Sequence, residues 1–151
     1  MRAFALLALL VPLVVGAADT SSPTQPENPK ARISPAQILM ADGRQAIERK
    51  DWKGAEKLLR QSLQLAPRNA HALNLLGYSL RWQGRYDESL AAYGQVFEIE
   101  PNHLGAHEYI GEAYLKLGRR ADAERHLAKL RQLCGNCEEA RDLASALAKT
   151  R

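Results

Sequence analysis

The chain has 151 residues, 46% of them hydrophobic, and a formal charge of +4. That length suits one compact domain. Both signs of charge are mixed, with no dense cluster of Lys and Arg, which argues against a nucleic-acid surface.

Residues 1–17 read as a secretory signal peptide. Arg2 is a short positive start, residues 3–15 are apolar apart from Pro12, and Val15, Gly16, Ala17 and Ala18 offer small residues for cleavage. The run is shorter than the ~20 residues a membrane span needs, so no stable membrane insertion is expected after cleavage. Residues 18–33 read as a linker that holds Pro23, Pro26 and Pro29 among Ser, Thr, Gln and Asn. It lacks the apolar surface to offset its ordering entropy and is expected to be disordered.

The folded domain is expected over 34–149. Ser34-Pro35-Ala36-Gln37 is a capping box with proline at the first helical position, and the helix it opens runs to about Arg49. Asp51 can cap a second helix to about Leu65. Further helices are predicted over about 69–83, 86–99, 103–117 and 120–133. Gly84 and Gly118 stand where a left-handed residue closes a helix. Asn136-Cys137-Glu138-Glu139 resembles a second capping box and opens a last helix, 137–149, with Ala140, Leu143, Ala144 and Leu147 on its apolar stripe.

These helices repeat. Gly43, Gly77 and Gly111 fall at intervals of 34 residues. So do Trp52, Tyr86 and Arg120, then Ala55, Ser89 and Ala123, then Leu59, Tyr93 and Leu127. Pro67 and Pro101 share the interval, with Gly135 at the third place. The small residues are expected where the two helices of a unit cross, because a missing side chain lets their axes approach to ~8–10 Å.

The pattern resembles the tetratricopeptide repeat, a helix–turn–helix unit. Its positions are filled by Leu73, Leu76-Gly77, Leu80, Ser89, Tyr93 and Pro101 in the second copy. In the third they are His107, Ile110-Gly111, Tyr114, Ala123, Leu127 and Gly135. The first copy, with Leu39, Asp42-Gly43, Ala46, Ala55, Leu59 and Pro67, diverges most at Asp42. The implied fold is an all-α solenoid of helical hairpins: three repeats at about 36–68, 70–102 and 104–136, plus a C-terminal capping helix.

The resemblance also implies a concave groove lined by the first helix of each pair. Carried over by position, the groove residues are His71, Asn74, Tyr78, Arg81 and Trp82 from the second repeat, and Glu108, Glu112 and Lys116 from the third. Tyr, Trp and Arg dominate binding hot spots. A protein or peptide partner is therefore expected in a non-enzymatic interaction module.

Cys134-Gly135-Asn136-Cys137 occupies an inter-repeat turn with a thiol at each end. A disulfide clip on the cap helix is the primary reading, favoured by secretion. The alternative is a thiol-active accessory protein, since the spacing matches redox motifs, although no strand pattern surrounds it. Two cysteines supply only half a tetrahedral metal site. His103 and His107 are four apart, but His107 stands at a core position of its repeat. His107-Glu108 lacks the second histidine of a zinc-protease motif. No catalytic constellation, metal site or cofactor is expected, and the protein is expected to be exported, periplasmic or secreted.

Intact-mass measurement of exported protein should find a chain beginning at Ala18 or Asp19. Retention of Met1 would instead make the apolar run an anchor.

Overall fold

The computed structural model describes residues 33–150. The expected signal peptide, and all of the expected linker but Ile33, lie outside the described residues. The described residues hold seven helices and no strand. They are α1 (Pro35–Glu48), α2 (Trp52–Leu65), α3 (Ala70–Trp82), α4 (Tyr86–Ile99), α5 (Leu104–Lys116), α6 (Arg120–Cys134) and α7 (Glu138–Lys149). Hairpins α1–α2, α3–α4 and α5–α6 stack in order, and α7 packs on both α5 and α6.

Local signals start and stop these helices. The Ser34 hydroxyl accepts from Gln37 N at 3.2 Å, and the Gln37 side chain accepts from Ser34 N at 2.8 Å. Asp51 caps α2 through Gly54 N, and Asn69 caps α3 through Ala72 N. His103 caps α5 with its ring, Nδ1 accepting from Ala106 N at 3.1 Å. Within each hairpin the turn is closed by one residue at positive φ: Lys50 (59°), Gly84 (75°) and Gly118 (72°). The following amide then reaches back to the helix, as in Asp51 N to Ala46 O, Arg85 N to Leu80 O and Arg119 N to Tyr114 O. That bond satisfies a carbonyl the helix end would leave open.

The start of α7 differs from the expected capping box. Cys137, not Asn136, is the capping residue, at the register of Asn69 and His103, and no side chain caps the helix. Its sulfur is bonded to Cys134, with the two α-carbons 5.6 Å apart. The bridge joins the last residue of α6 to the residue that starts α7.

The core is three clusters in series, each made by one hairpin and the next inward helix. The first holds Ala55, Leu59, Leu76 and Leu80; the second Leu73, Tyr93, Val96 and Ile110; the third Leu115, Leu127, Leu130 and Leu143. Burying each such side chain stabilises the fold by about 1.5–3 kcal/mol. Serine hydroxyls join helix to helix: Ser62 donates to Ala36 O at 2.7 Å, Ser79 to Trp52 O at 2.6 Å and Ser89 to Gly77 O at 2.7 Å.

The repeating glycines sit at close approaches. A Cβ on Gly43 would lie 2.8 Å from Leu59, and one on Gly77 would lie 2.6 Å from the Tyr93 ring. Gly111 departs from the expected crossing within its own hairpin. Its nearest neighbour is Leu143 of α7, 2.6 Å from a Cβ placed there. The cap helix thus uses the space that the third glycine leaves.

Gly77→Leu should lower the urea midpoint by an amount equivalent to about 1–3 kcal/mol or more, since overpacking against fully buried Tyr93 has no free volume to relax into. An unchanged midpoint would remove Gly77 from the crossing.

Candidate functional site

The inward helices α1, α3, α5 and α7 contact one another in sequence and carry the expected groove residues. Trp82 is the last residue of α3, where the helix ends and the chain turns away, and it is 53% exposed. Its ring lies flat on Trp52, with centroids 5.3 Å apart and planes 9° from parallel. Tyr78 meets Trp52 and Trp82, each at 6.2 Å, and Tyr109 edge-on at 4.8 Å.

Arg81 lies within this aromatic cluster and is only 9% exposed. Its guanidinium is 5.1 Å from the Tyr78 ring, 5.4 Å from Trp82 and 5.7 Å from Tyr109. Nη1 reaches Glu112 Oε2 at 2.7 Å. The cation is compensated from within the fold, by a carboxylate and by three ring faces. It therefore orders the face rather than offering a free positive charge.

Arg81, Trp82, Glu112 and Lys116 line one cleft of about 300 Å³, which Ala146, Lys149 and Thr150 wall from the other side. Tyr78 joins it through its contacts to Arg81 and Trp82. Asn74 and Glu108 are nearly buried, at 6% and 9% exposure. Burial raises the Glu108 carboxyl to about 8, and the negative charges of Glu112, Asp142 and Glu139 add to the rise. His71 stands apart near the start of α3, its ring 6.1 Å from that of His103. Burial lowers its pKa, and Arg44 and His103 lower it further.

Trp52 and Tyr109 complete the aromatic cluster, and neither stood among the expected groove residues. Trp52 starts an outer helix, so repeat register alone gives it no inward role. The signal available was its aromatic character at a helix start, next to a turn.

A second cluster joins α4, α5 and α6. His107 is 6% exposed, and its Nδ1 lies 2.9 Å from His126 Nδ1. Its Nε2 is 3.0 Å from Pro101 O. A carbonyl only accepts, so Nε2 of His107 carries the hydrogen, and Nδ1 of the neutral ring accepts from His126 Nδ1–H. Phe97 stacks on both rings and Tyr114 stacks on His126. Burial lowers both pKa values. Lys129 and His103 add to the fall of His107, while His126 comes down to about 4 with help from His107 and Arg125.

These shifts have opposite consequences for stability. The unfolded chain binds protons on His107 and His126 more readily than the fold, so their contribution is complete above pH 6.5 and is lost as pH falls toward 4. Glu108 binds its proton more readily in the fold, so stability is lost as pH rises from 4.5 to about 8. Each fully shifted group contributes a slope of up to about 1.4 kcal/mol per pH unit. The urea midpoint should therefore fall between pH 6.5 and 8, where Glu108 acts without the histidines, and Glu108→Gln should abolish that fall. Replacing both His107 and His126 by Phe should remove an acid-side loss between pH 6.5 and 4. Unchanged profiles in these variants would show that neither group is shifted.

The comparisons agree with the repeat geometry. One tetratricopeptide-repeat family model matches residues 40–102 and a second matches residues 80–147. Protein O-mannosyl-transferase Tmtc3 of Drosophila melanogaster is 29% identical over 83 residues, which is 55% of this chain and 9% of that protein. The chain thus spans less than a tenth of the length of such relatives. Among solved structures, the TPR2B domain of yeast Sti1 in its pHsp70 complex is similar at a TM-score of 0.70 and 21% identity, over 76% of this chain and 94% of that one. The first TPR of Spaghetti (RPAP3), bound to the HSP90 peptide SRMEEVD, is similar at a TM-score of 0.67 and 15% identity, again over 76% and 94%. At these identities the structural likeness is one of fold. The two family models together run from residue 40 to residue 147 of the stacked hairpins, and the chain belongs to the tetratricopeptide repeat family.

Proposed function

We propose that the chain is a non-enzymatic, exported scaffold that takes an extended or helical segment of a partner protein into the cleft beside Trp82. Tetratricopeptide domains mediate protein–protein contact, and two similar folds are held in complexes, one with pHsp70 and one with an HSP90 peptide. The observation that carries the reading is the half-exposed Trp82 ring, braced flat on Trp52 at the edge of a cleft. A large aromatic already held in one orientation loses little freedom on binding, so more of its contact area becomes affinity.

The disulfide serves the same reading. It fixes the start of α7, the helix that walls the cleft opposite Trp82. A disulfide also suits an oxidising compartment, which supports export together with the apolar run near the start of the chain. Lys116 and Lys149 stand exposed on the cleft wall and can meet polar groups of the segment.

Cross-linking in the native compartment tests this. Trp82→Ala and Tyr78→Ala should each lose partner adducts by about thirtyfold in affinity, while far-UV circular dichroism stays helical. Cys134→Ser with Cys137→Ser should keep the adducts and lower the melting temperature. Loss of capture in the cysteine pair but not in the aromatic variants would replace the groove with a thiol-based contact.

A further inference from the structure

Asn74, Glu108 and Asp142 lie at one register of three successive inward helices, α3, α5 and α7, spaced 34 residues apart. Glu108 is 9% exposed and makes no hydrogen bond or ion pair among the described residues. Glu112, one turn along α5, has its carboxylate bonded to Arg81. The negative charges of Glu112 and of Asp142 and Glu139 on α7 bear on Glu108, and the positive charge of Arg81 opposes them. Asn74 is 6% exposed, and its Oδ1 has no donor. This end of the inward face therefore carries acceptors in excess.

We propose that this end of the groove is an acidic seat for a lysine or arginine side chain of the partner segment, with Glu108 at its base and Asp142 and Glu139 at its rim. The inference rests on the groove reading above and names the partner's chemistry. Burial of the side chain disfavours the Glu108 anion, and with the negative charges beside it the carboxyl is raised to about 8. An ammonium or guanidinium has several N–H donors and no acceptor, which matches a seat built from carboxylates and an amide oxygen. An acidic segment would meet the carboxylates of Asp142 and Glu139 here. Arrival of the cation restores the charge of Glu108, and its proton leaves to solvent.

The test titrates the full chain with an acetylated, amidated Ala-Arg-Ala-Arg-Ala peptide and with its Glu counterpart. The two tryptophans, Trp52 and Trp82, report binding by fluorescence. Calorimetry in buffers of different ionisation enthalpy counts the protons. The Arg peptide should bind saturably and more weakly as salt rises, releasing about one proton at pH 7. Glu108→Gln with Asp142→Asn should weaken it by about tenfold or more. Glu108→Gln alone should abolish the proton release without lowering the melting temperature, since a neutral isostere suits the buried site. Absence of Arg-peptide binding, preference for the Glu peptide, or unchanged affinity in the double variant would overturn the acidic seat. The partner cross-link separates the two readings. Adducts lost in Trp82→Ala but kept in the double variant would sink the seat alone, whereas adducts kept in both would sink the groove as well.

Discussion

The close approach of the two helices of a hairpin is the contact on which the rest of the structure depends. At Gly77 the absent side chain leaves room for the Tyr93 ring, the largest fully buried side chain. The same approach lets the Ser89 hydroxyl reach Gly77 O at 2.7 Å, a second bond to a carbonyl already inside a helix. Glycine in a helix interior costs about 0.8–1 kcal/mol relative to alanine. Burial of a tyrosine and a methylene-tight core offsets that cost. Each hairpin then presents its inward helix to the next, and three local cores grow in series where one central core might have formed.

The end of the stack departs from the repeat, and that departure shapes the cleft. In the first two hairpins the glycine faces the partner helix, whereas Gly111 faces Leu143 of α7. The cap helix is thereby drawn against α5, bringing Ala146 and Lys149 to the wall facing Trp82. The Cys134–Cys137 bridge holds the start of that helix in place of a side-chain cap. A stable end and one wall of the cleft come from the same helix.

Electrostatics then divides the inward face. Arg81 is enclosed by Tyr78, Trp82, Tyr109 and Glu112, so its charge is balanced inside the protein. Buried pairs of this kind add little net stability but hold a geometry. What remains open is an aromatic edge at Trp82, lysines at the C-terminal ends of α5 and α7, and carboxylates near their N-terminal turns. In the proposed groove that polarity would set the direction in which a segment lies.

The sequence by itself determined the helices, their order and their inward faces. The interval between Gly43, Gly77 and Gly111 carried the hairpins, and Ser34, Asp51, Gly84 and Gly118 marked their ends. The same register reaches Lys50, which takes the left-handed position at φ 59° without being glycine, so its identity hid what its place implied. Asn136 misled for the converse reason: its identity suits a cap, but the register put Cys137 there. Among the expected groove residues, the period identified which helix face each occupied. Tertiary structure decided that Arg81 pairs with Glu112, that Trp52 supports Trp82, that His107 meets His126, and that Glu108 is buried with no hydrogen-bond or ion-pair partner among the described residues. A helical period sets direction around one axis. Contacts between side chains on different helices depend on crossing distance and rotamer as well, and those exist only once the hairpins have stacked.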